Sequence, residues 1–243
     1  MSVLIEHKSG FCLNPEEALV AGYLKASGQA FEIASLSQVD RARVDATSKH
    51  LVVGTIPFIA AALRQRGITL VAEDTYPSVL SGLMRRRVWK STIKRAQESI
   101  EDGSRPFFIK PYARAKRFTG FVLTDSMDYR LVGVSRNESI WCSEVISFVS
   151  EWRMYVIRGR LVHSGHYGGS HEVKPSGEVV DEAIRLMSSQ AGCPASYALD
   201  MGVTDTGETA LVEVNDAYAI GAYGIEPGLY FSFLKTRWDE LCA

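Results

Sequence analysis

No stretch of this 243-residue chain approaches the roughly 20 consecutive apolar residues that a membrane-spanning helix requires. Nor does the N-terminal MSVLIEHKSG read as a secretory signal, because charge follows directly on a short apolar run. Neither sign of charge is in excess: 27 Lys and Arg stand against 28 Asp and Glu. No global field therefore points to nucleic acid, and phosphate chemistry would have to come from locally placed charge. Cysteine is scarce. Cys12, Cys142, Cys193 and Cys242 are scattered and form no C-x-x-C pair, which leaves no framework for a zinc cluster or a redox dithiol and fits reduced thiols in a cytoplasm. Also lacking are a G-x-x-x-x-G-K-[ST] phosphate loop, the G-x-S-x-G of many hydrolases, internal repeats and low-complexity segments. With 46% hydrophobic and 23% charged residues, the chain has the composition of a folded globular protein, long enough for one large domain or a few small lobes.

The first quarter alternates strand and helix signals. Strands are expected at Ser2–Ile5, Phe31–Leu36, His50–Val53 and Ile68–Ala72. Between them, Asn14-Pro15-Glu16-Glu17 has the form of a helix start, and Pro57–Gln65 reads as an amphipathic helix closed by Gly67. Strands separated by helices imply a small open α/β layer. Beyond Pro77 the spacing predicts a basic helix over Ser78–Ile100, carrying Arg85, Arg86, Arg87, Lys90, Lys94 and Arg95. Strands then dominate: Phe107–Lys110, Gly120–Leu123, Tyr129–Val134, Trp152–Ile157, Leu161–His166, Tyr197–Val203 and Thr209–Val214, with one helix over Glu178–Gln190. A mostly antiparallel sheet with a few packed helices is the economical reading of this half.

Three segments could carry chemistry. In LDMGVTDTGETALVEVND, strand alternation puts Glu213 and Asn215 on one face. A four-residue turn at Asp205–Glu208 would set Asp200 opposite Glu213, giving a cluster of hard oxygens suited to Mg²⁺; an ordinary polar strand face is the competing reading, and one residue more or less in the turn would separate the faces. In FFIKPYARAKRFTGFVL, Lys110 ends an apolar strand, and the following stretch with Arg114, Lys116, Arg117 and Thr119 could close over polyphosphate or be a solvated basic hairpin. In SEVISFVSEWRMYVIRGRLV, Glu151, Arg153 and Tyr155 share a face, and Arg158-Gly159 suggests a hairpin turn. Arg153 either pairs with Glu151 at the surface or reaches a phosphate or carboxylate in bidentate fashion. His163, His166 and His171 crowd a Gly-rich stretch without an acid or Cys at zinc-ligand spacing, and read as loop histidines.

Taken in order, these motifs resemble the ATP-grasp superfamily, and in particular a small phage and bacterial clade marked by an arginine and two lysines. The resemblance spans nearly the whole chain, and the E-x-N triplet in its setting is its most specific part. It implies an α/β and α+β fold: a pre-grasp α/β domain over residues 1–76, a central ATP-grasp lobe over 77–140 and a C-terminal lobe with the metal site over 141–243. It nominates Lys110 and Lys116 for ATP phosphates, Glu144, Val145 and Ile146 for adenine, Arg153 for phosphate with Glu151 in support, and Asp200, Glu213 and Asn215 for metal. The upstream phosphate-binding lysine that many members carry has Lys90 as its nominee and Arg87 as a rival. The implied cofactors are ATP and Mg²⁺. The implied activity joins a carboxylate to an amine through an acyl phosphate, on a small molecule, amino acid or peptide, with Lys116 and Arg153 as catalytic residues and the Arg114–Thr119 loop excluding water. Two rivals belong to other classes: an ATP-binding regulatory or interaction module without ligation, and a nucleic-acid binder using the Arg85–Arg95 segment, whose affinity would fall steeply with salt.

Overall fold

The computed structural model describes residues 2–71, 74–112 and 118–243. These residues form three sheets. The first is parallel, in the order β2 (Phe31–Ala34), β1 (Val3–Glu6), β3 (Leu51–Val53). Central β1 is buried along its whole length, as a strand covered on both faces must be. Helix α1 (Pro15–Ala26) starts at Pro15 with Glu16 and Glu17 in its first turn. The short α2 (Leu36–Asp40) is fixed by a capping box between Ser35 and Gln38. Helix α3 (Ile56–Gln65) buries Phe58, Ile59, Ala61, Ala62 and Leu63.

The fourth strand expected here does not form over residues 68–71, and Ala72 lies outside the described residues. Ile68 and Leu70 pack on the core, so their alternation is satisfied without a sheet partner. What covers this layer instead is α6 (Pro227–Leu241), an element that local sequence signals do not announce; its Tyr230, Phe233, Leu234 and Trp238 share one core with β1, β3 and α3.

The second sheet is antiparallel, in the order β4 (Val88–Thr92), β7 (Ser139–Ser143), β5 (Phe107–Pro111), β6 (Phe121–Leu123). The single helix expected over Ser78–Ile100 is three elements: a 3-10 turn at Ser78–Leu83, strand β4, and helix α4 (Ile93–Glu101). Arg85 adopts a left-handed backbone (φ 52°), which no α-helix can pass through, and Val88–Thr92 pairs with β7 instead. Lys90 is accordingly a strand residue. The strand expected at Tyr129–Val134 is a 3-10 turn, Tyr129–Leu131, opened by the Asp128 side chain accepting from the Arg130 N–H; only Leu131 is buried. Burial pushes the Cys142 thiol up to about 12. At pH 8, iodoacetamide should therefore label exposed Cys12 and spare Cys142 in the native protein, as peptide mass mapping would show; rapid labelling of Cys142 would mean that the second sheet opens readily.

The third sheet is also antiparallel, in the order β11 (Thr209–Asp216), β10 (Ser196–Thr204), β8 (Phe148–Ile157), β9 (Arg160–Gly169). Arg158 (φ 49°) and Gly159 (φ 72°) make the expected turn between β8 and β9. Helix α5 (Gly177–Ser189) packs Val180, Ala183, Ile184 and Met187 onto Tyr197, Leu199 and Met201 of β10. Tyr76, Leu80, Met84 and Trp141 join the same core and so tie the second sheet to the third. His163 and His166 lie on β9 rather than in a loop, and His166 and His171 pack around the Trp152 ring. Among the described residues, no helix is long and apolar enough to cross a membrane.

Candidate active site

Asp200 and Glu213 stand directly opposite each other, as expected, but by a different route. Val203 pairs with Thr209, so the connection holds five residues, Thr204–Glu208, one more than assumed. Alone, that extra residue would turn Glu213 to the opposite face. A β-bulge at Val212 restores it: Met201 pairs with Leu211, and Asp200 then pairs with Glu213. The bulge lets Leu211 and Val214, three positions apart, both enter the core shared with α5 while Glu213 and Asn215 face away from it.

Arg86 holds this bulge. Its guanidinium donates to the Leu211 carbonyl at 2.7 Å and to the Val212 carbonyl at 2.8 Å. In the sequence Arg86 reads as part of a solvated basic helix face; nothing local announces a bond across 125 residues. Because hydrogen bonds from a charged group contribute about 1.5–3 kcal/mol, Arg86→Ala should destabilise the fold by about 2–3 kcal/mol. It should also lower any Glu213-dependent activity without touching Glu213, with denaturant melts and ATP turnover as the readouts.

On the polar face, Arg153 grips Asp200 in bidentate fashion, Nε to Oδ1 at 2.8 Å and Nη2 to Oδ2 at 2.7 Å. Both are nearly buried, at 8% and 2% exposure. Glu151 takes no part in that pair; it accepts the Tyr167 hydroxyl at 3.1 Å. The Asn215 amide nitrogen donates to Asp200 at 3.1 Å and to Glu213 at 3.2 Å, joining the three side chains. Burial opposes the charge on Arg153, yet the Asp200 hydrogen bonds and charge outweigh it and keep the guanidinium protonated. For Glu213, burial works to raise the pKa, while the Lys110 charge and hydrogen bond, helped by Asn215, bring it below the usual carboxylate range.

Lys110 comes from the second sheet. Its Nζ lies 2.6 Å from Glu213 Oε2 and 4.1 Å from the centre of the Tyr76 ring. Across that sheet Lys90 and Lys110 each pair with Trp141, so both project from the face that carries the Trp141 ring. Lys90 Nζ donates to the Tyr112 hydroxyl at 2.8 Å and sits over the Tyr112 and Trp141 rings. Two cations thus face a cluster of two carboxylates and an amide across the space between two sheets. Glu144, Val145 and Ile146 form the link from β7 to β8, that is, from one sheet to the other; Glu144 is anchored to Arg87 by backbone and side-chain hydrogen bonds. Rival Arg87 lies against Trp89 and Glu144, apart from the carboxylate cluster. Lys116 lies outside the described residues.

The arrangement of two sheets with opposed charges is matched in sequence by a family model over residues 83–233, an ATP-grasp domain that is the second family of the clade named for one arginine and two lysines. That span includes every strand from β4 to β11. The chain belongs to this ATP-grasp family. A search of curated protein sequences finds no match. Among solved structures, D-cycloserine synthetase DcsG is similar over 99% of this chain and 100% of its own, with a TM-score of 0.64 at 13% identity. The D-alanine–D-alanine ligase of Bacillus anthracis, solved with ATP, aligns over 100% and 97% of the two chains, with a TM-score of 0.57 at 12% identity. Macrocyclase MdnC of Microcystis aeruginosa, bound to its precursor peptide, aligns over 99% of each chain, with a TM-score of 0.53 at 14% identity. At these identities the likeness speaks for the ATP-grasp fold. ATP-grasp architecture also accounts for the small parallel sheet that precedes the matched region, since all three structures align along nearly the full chain.

Proposed function

We propose that the chain is an ATP-dependent carboxylate–amine ligase whose nucleotide lies between the second and third sheets. The observation that carries this reading is the Lys110–Glu213 pair, which brings a phosphate-binding type of cation onto a metal-binding type of carboxylate from two different sheets. Lys110 and Lys90 face the phosphates from one side and Arg153 from the other. The backbone of Glu144–Ile146, at the crossing between sheets, faces adenine, as befits a hinge-like link with free peptide groups. The domain limits at residues 76 and 140 follow from the same reading.

The donor set Asp200, Glu213 and Asn215 fits Mg²⁺: it holds only hard oxygens, and the Asn215 amide needs only a flip of its terminal group to offer Oδ1 beside the two carboxylates. The ion, once bound there, supplies charge neutralisation along the polyphosphate. In the first step a substrate carboxylate oxygen attacks the γ-phosphorus and ADP leaves, giving an acyl phosphate. An amine nitrogen then attacks the acyl carbon, inorganic phosphate departs and the nitrogen loses its proton. Lys110 and Arg153 are now engaged by carboxylates; in the reaction they offset the charge that builds on the transferred group. Lys116 is assigned to the same task on the strength of the sequence motif alone. By analogy with the macrocyclase and the D-alanine ligase, the substrates are amino acids or peptides.

A screen of ADP release with amino acids, peptides and polyamines, followed by mass spectrometry of the products, tests the reading. Substrate-dependent ADP with a condensed product is expected. Tight ATP binding with no ADP across the panel would instead establish the non-catalytic nucleotide-binding module.

A further inference from the structure

A cavity of about 780 Å³ lies away from the opposed sheets, at the C-terminal ends of β1 and β3. That is the end at which open parallel sheets hold ligands. Its walls are the first turn of α1, the β3–α3 junction, one side of α6, and Ala217–Gly221, the segment that continues directly from β11. The cavity therefore begins two residues beyond Asn215. This segment is rigidly held: the Tyr155 hydroxyl donates to the Gly221 carbonyl, the Tyr230 hydroxyl to that of Ile220, and Ala219 takes a left-handed backbone (φ 51°).

The lining is largely aliphatic and aromatic, with Val53, Ile56, Ile59, Ile220 and Leu234 among it, but Glu16 and Glu17 also belong to it. Glu17 is 4% exposed, and its Oε2 has no hydrogen-bond partner. Burial raises its pKa, and the neighbouring carboxylates Glu16 and Glu6 add to the shift. Glu6, 8% exposed, is occupied by the Thr55 N–H at 2.6 Å. Among the described residues no ion pair joins Glu6, Glu16 or Glu17 to any cation. A buried carboxylate without a counter-charge is costly, and natural proteins rarely keep one unless a partner arrives. That partner is not a metal ion: among the described residues no three His, Cys, Asp or Glu side chains are grouped to hold one. An organic cation with an apolar body suits both the charge and the walls.

We infer that this chamber binds the amine substrate as its ammonium form, with Glu17 as the counter-charge and the apolar walls receiving an aliphatic or aromatic side group. The inference deepens the ligase reading, and rests on it for the word substrate. The chamber opens beside the strand that carries Glu213 and Asn215, so a bound amine is held next to the site where an acyl phosphate would form.

Calorimetric titration of the full chain with phenethylamine and leucinamide, with N-acetyl-leucinamide as neutral control, tests it with and without a non-hydrolysable ATP analogue. Both amines should bind, the acetylated control should not, and Glu17→Gln should weaken the amines at least tenfold while nucleotide affinity stays at the wild-type value. Ile56→Trp, which narrows the chamber without altering charge, should weaken the larger amine as well. Circular dichroism checks that each variant is folded. Equal affinity for the amine and its acetylated form, or undiminished binding to Glu17→Gln, overturns the inference. Amine binding that depends on Glu17 in a protein that releases no ADP with any substrate would retain the chamber and defeat the ligase reading.

Discussion

Lys110→Met should abolish ATP turnover and leave the protein folded. The substitution keeps an unbranched apolar stem against Tyr76 and removes the charge 2.6 Å from Glu213. Preorganised groups that stabilise developing charge each contribute about 10²–10³ in rate, and Lys110 is the described residue best placed to meet both phosphate and metal ligand. The structural cost is smaller, about 1–2 kcal/mol, because Glu213 retains Asn215 and its side chain is 28% exposed to water. ADP release and a thermal melt on the same sample separate the two effects. Normal turnover would remove Lys110, and with it the proposed nucleotide site, from the reaction.

A larger stability effect is expected at Arg153. Arg153→Met strips a buried carboxylate of its bidentate partner, a change that costs about 3–5 kcal/mol in comparable pairs. With roughly 2–4 °C per kcal/mol for a chain of this size, the melting temperature should fall by about 10 °C. Adding Asp200→Asn should recover part of the loss, with a coupling of about 2 kcal/mol in the double-mutant cycle. The single variant also removes the guanidinium that lies over the Tyr223 ring at 5.0 Å, so lost packing accompanies lost charge. Strictly additive losses in the cycle would mean that Asp200 is stabilised by something other than this pair.

Much of the fold could be read from local signals because its helices and strands are marked locally. Pro15 with its two acids starts α1, Arg158-Gly159 turns β8 into β9, and apolar alternation outlines β5, β8, β10 and β11. What escaped depends on partners distant in sequence. Val88–Thr92 has the composition of either a helix or a strand until β7 arrives beside it. Helix α6 has apolar residues on more than one side and no acidic first turn; its place is decided by the first sheet, nearly two hundred residues earlier in the chain.

The site shows the same division. Glu213 opposite Asp200 follows from alternation and an assumed turn, but the true pairing needs a longer connection and a bulge that offset each other, and the bulge answers to Arg86. Arg153 as a bidentate group is legible in the strand pattern; that its partner is Asp200, on the adjacent strand, requires the register of β10 against β8.

The return of α6 to the first sheet has a temporal consequence. Strands β1 and β3 emerge early during synthesis, yet the helix that seals their core leaves the ribosome only once residues 227–241 have been made. Until then the nascent chain carries an unfinished apolar layer at its leading end, a surface on which a chaperone or a neighbouring chain could settle. The opening residues of this protein are thus among the last to reach their finished state.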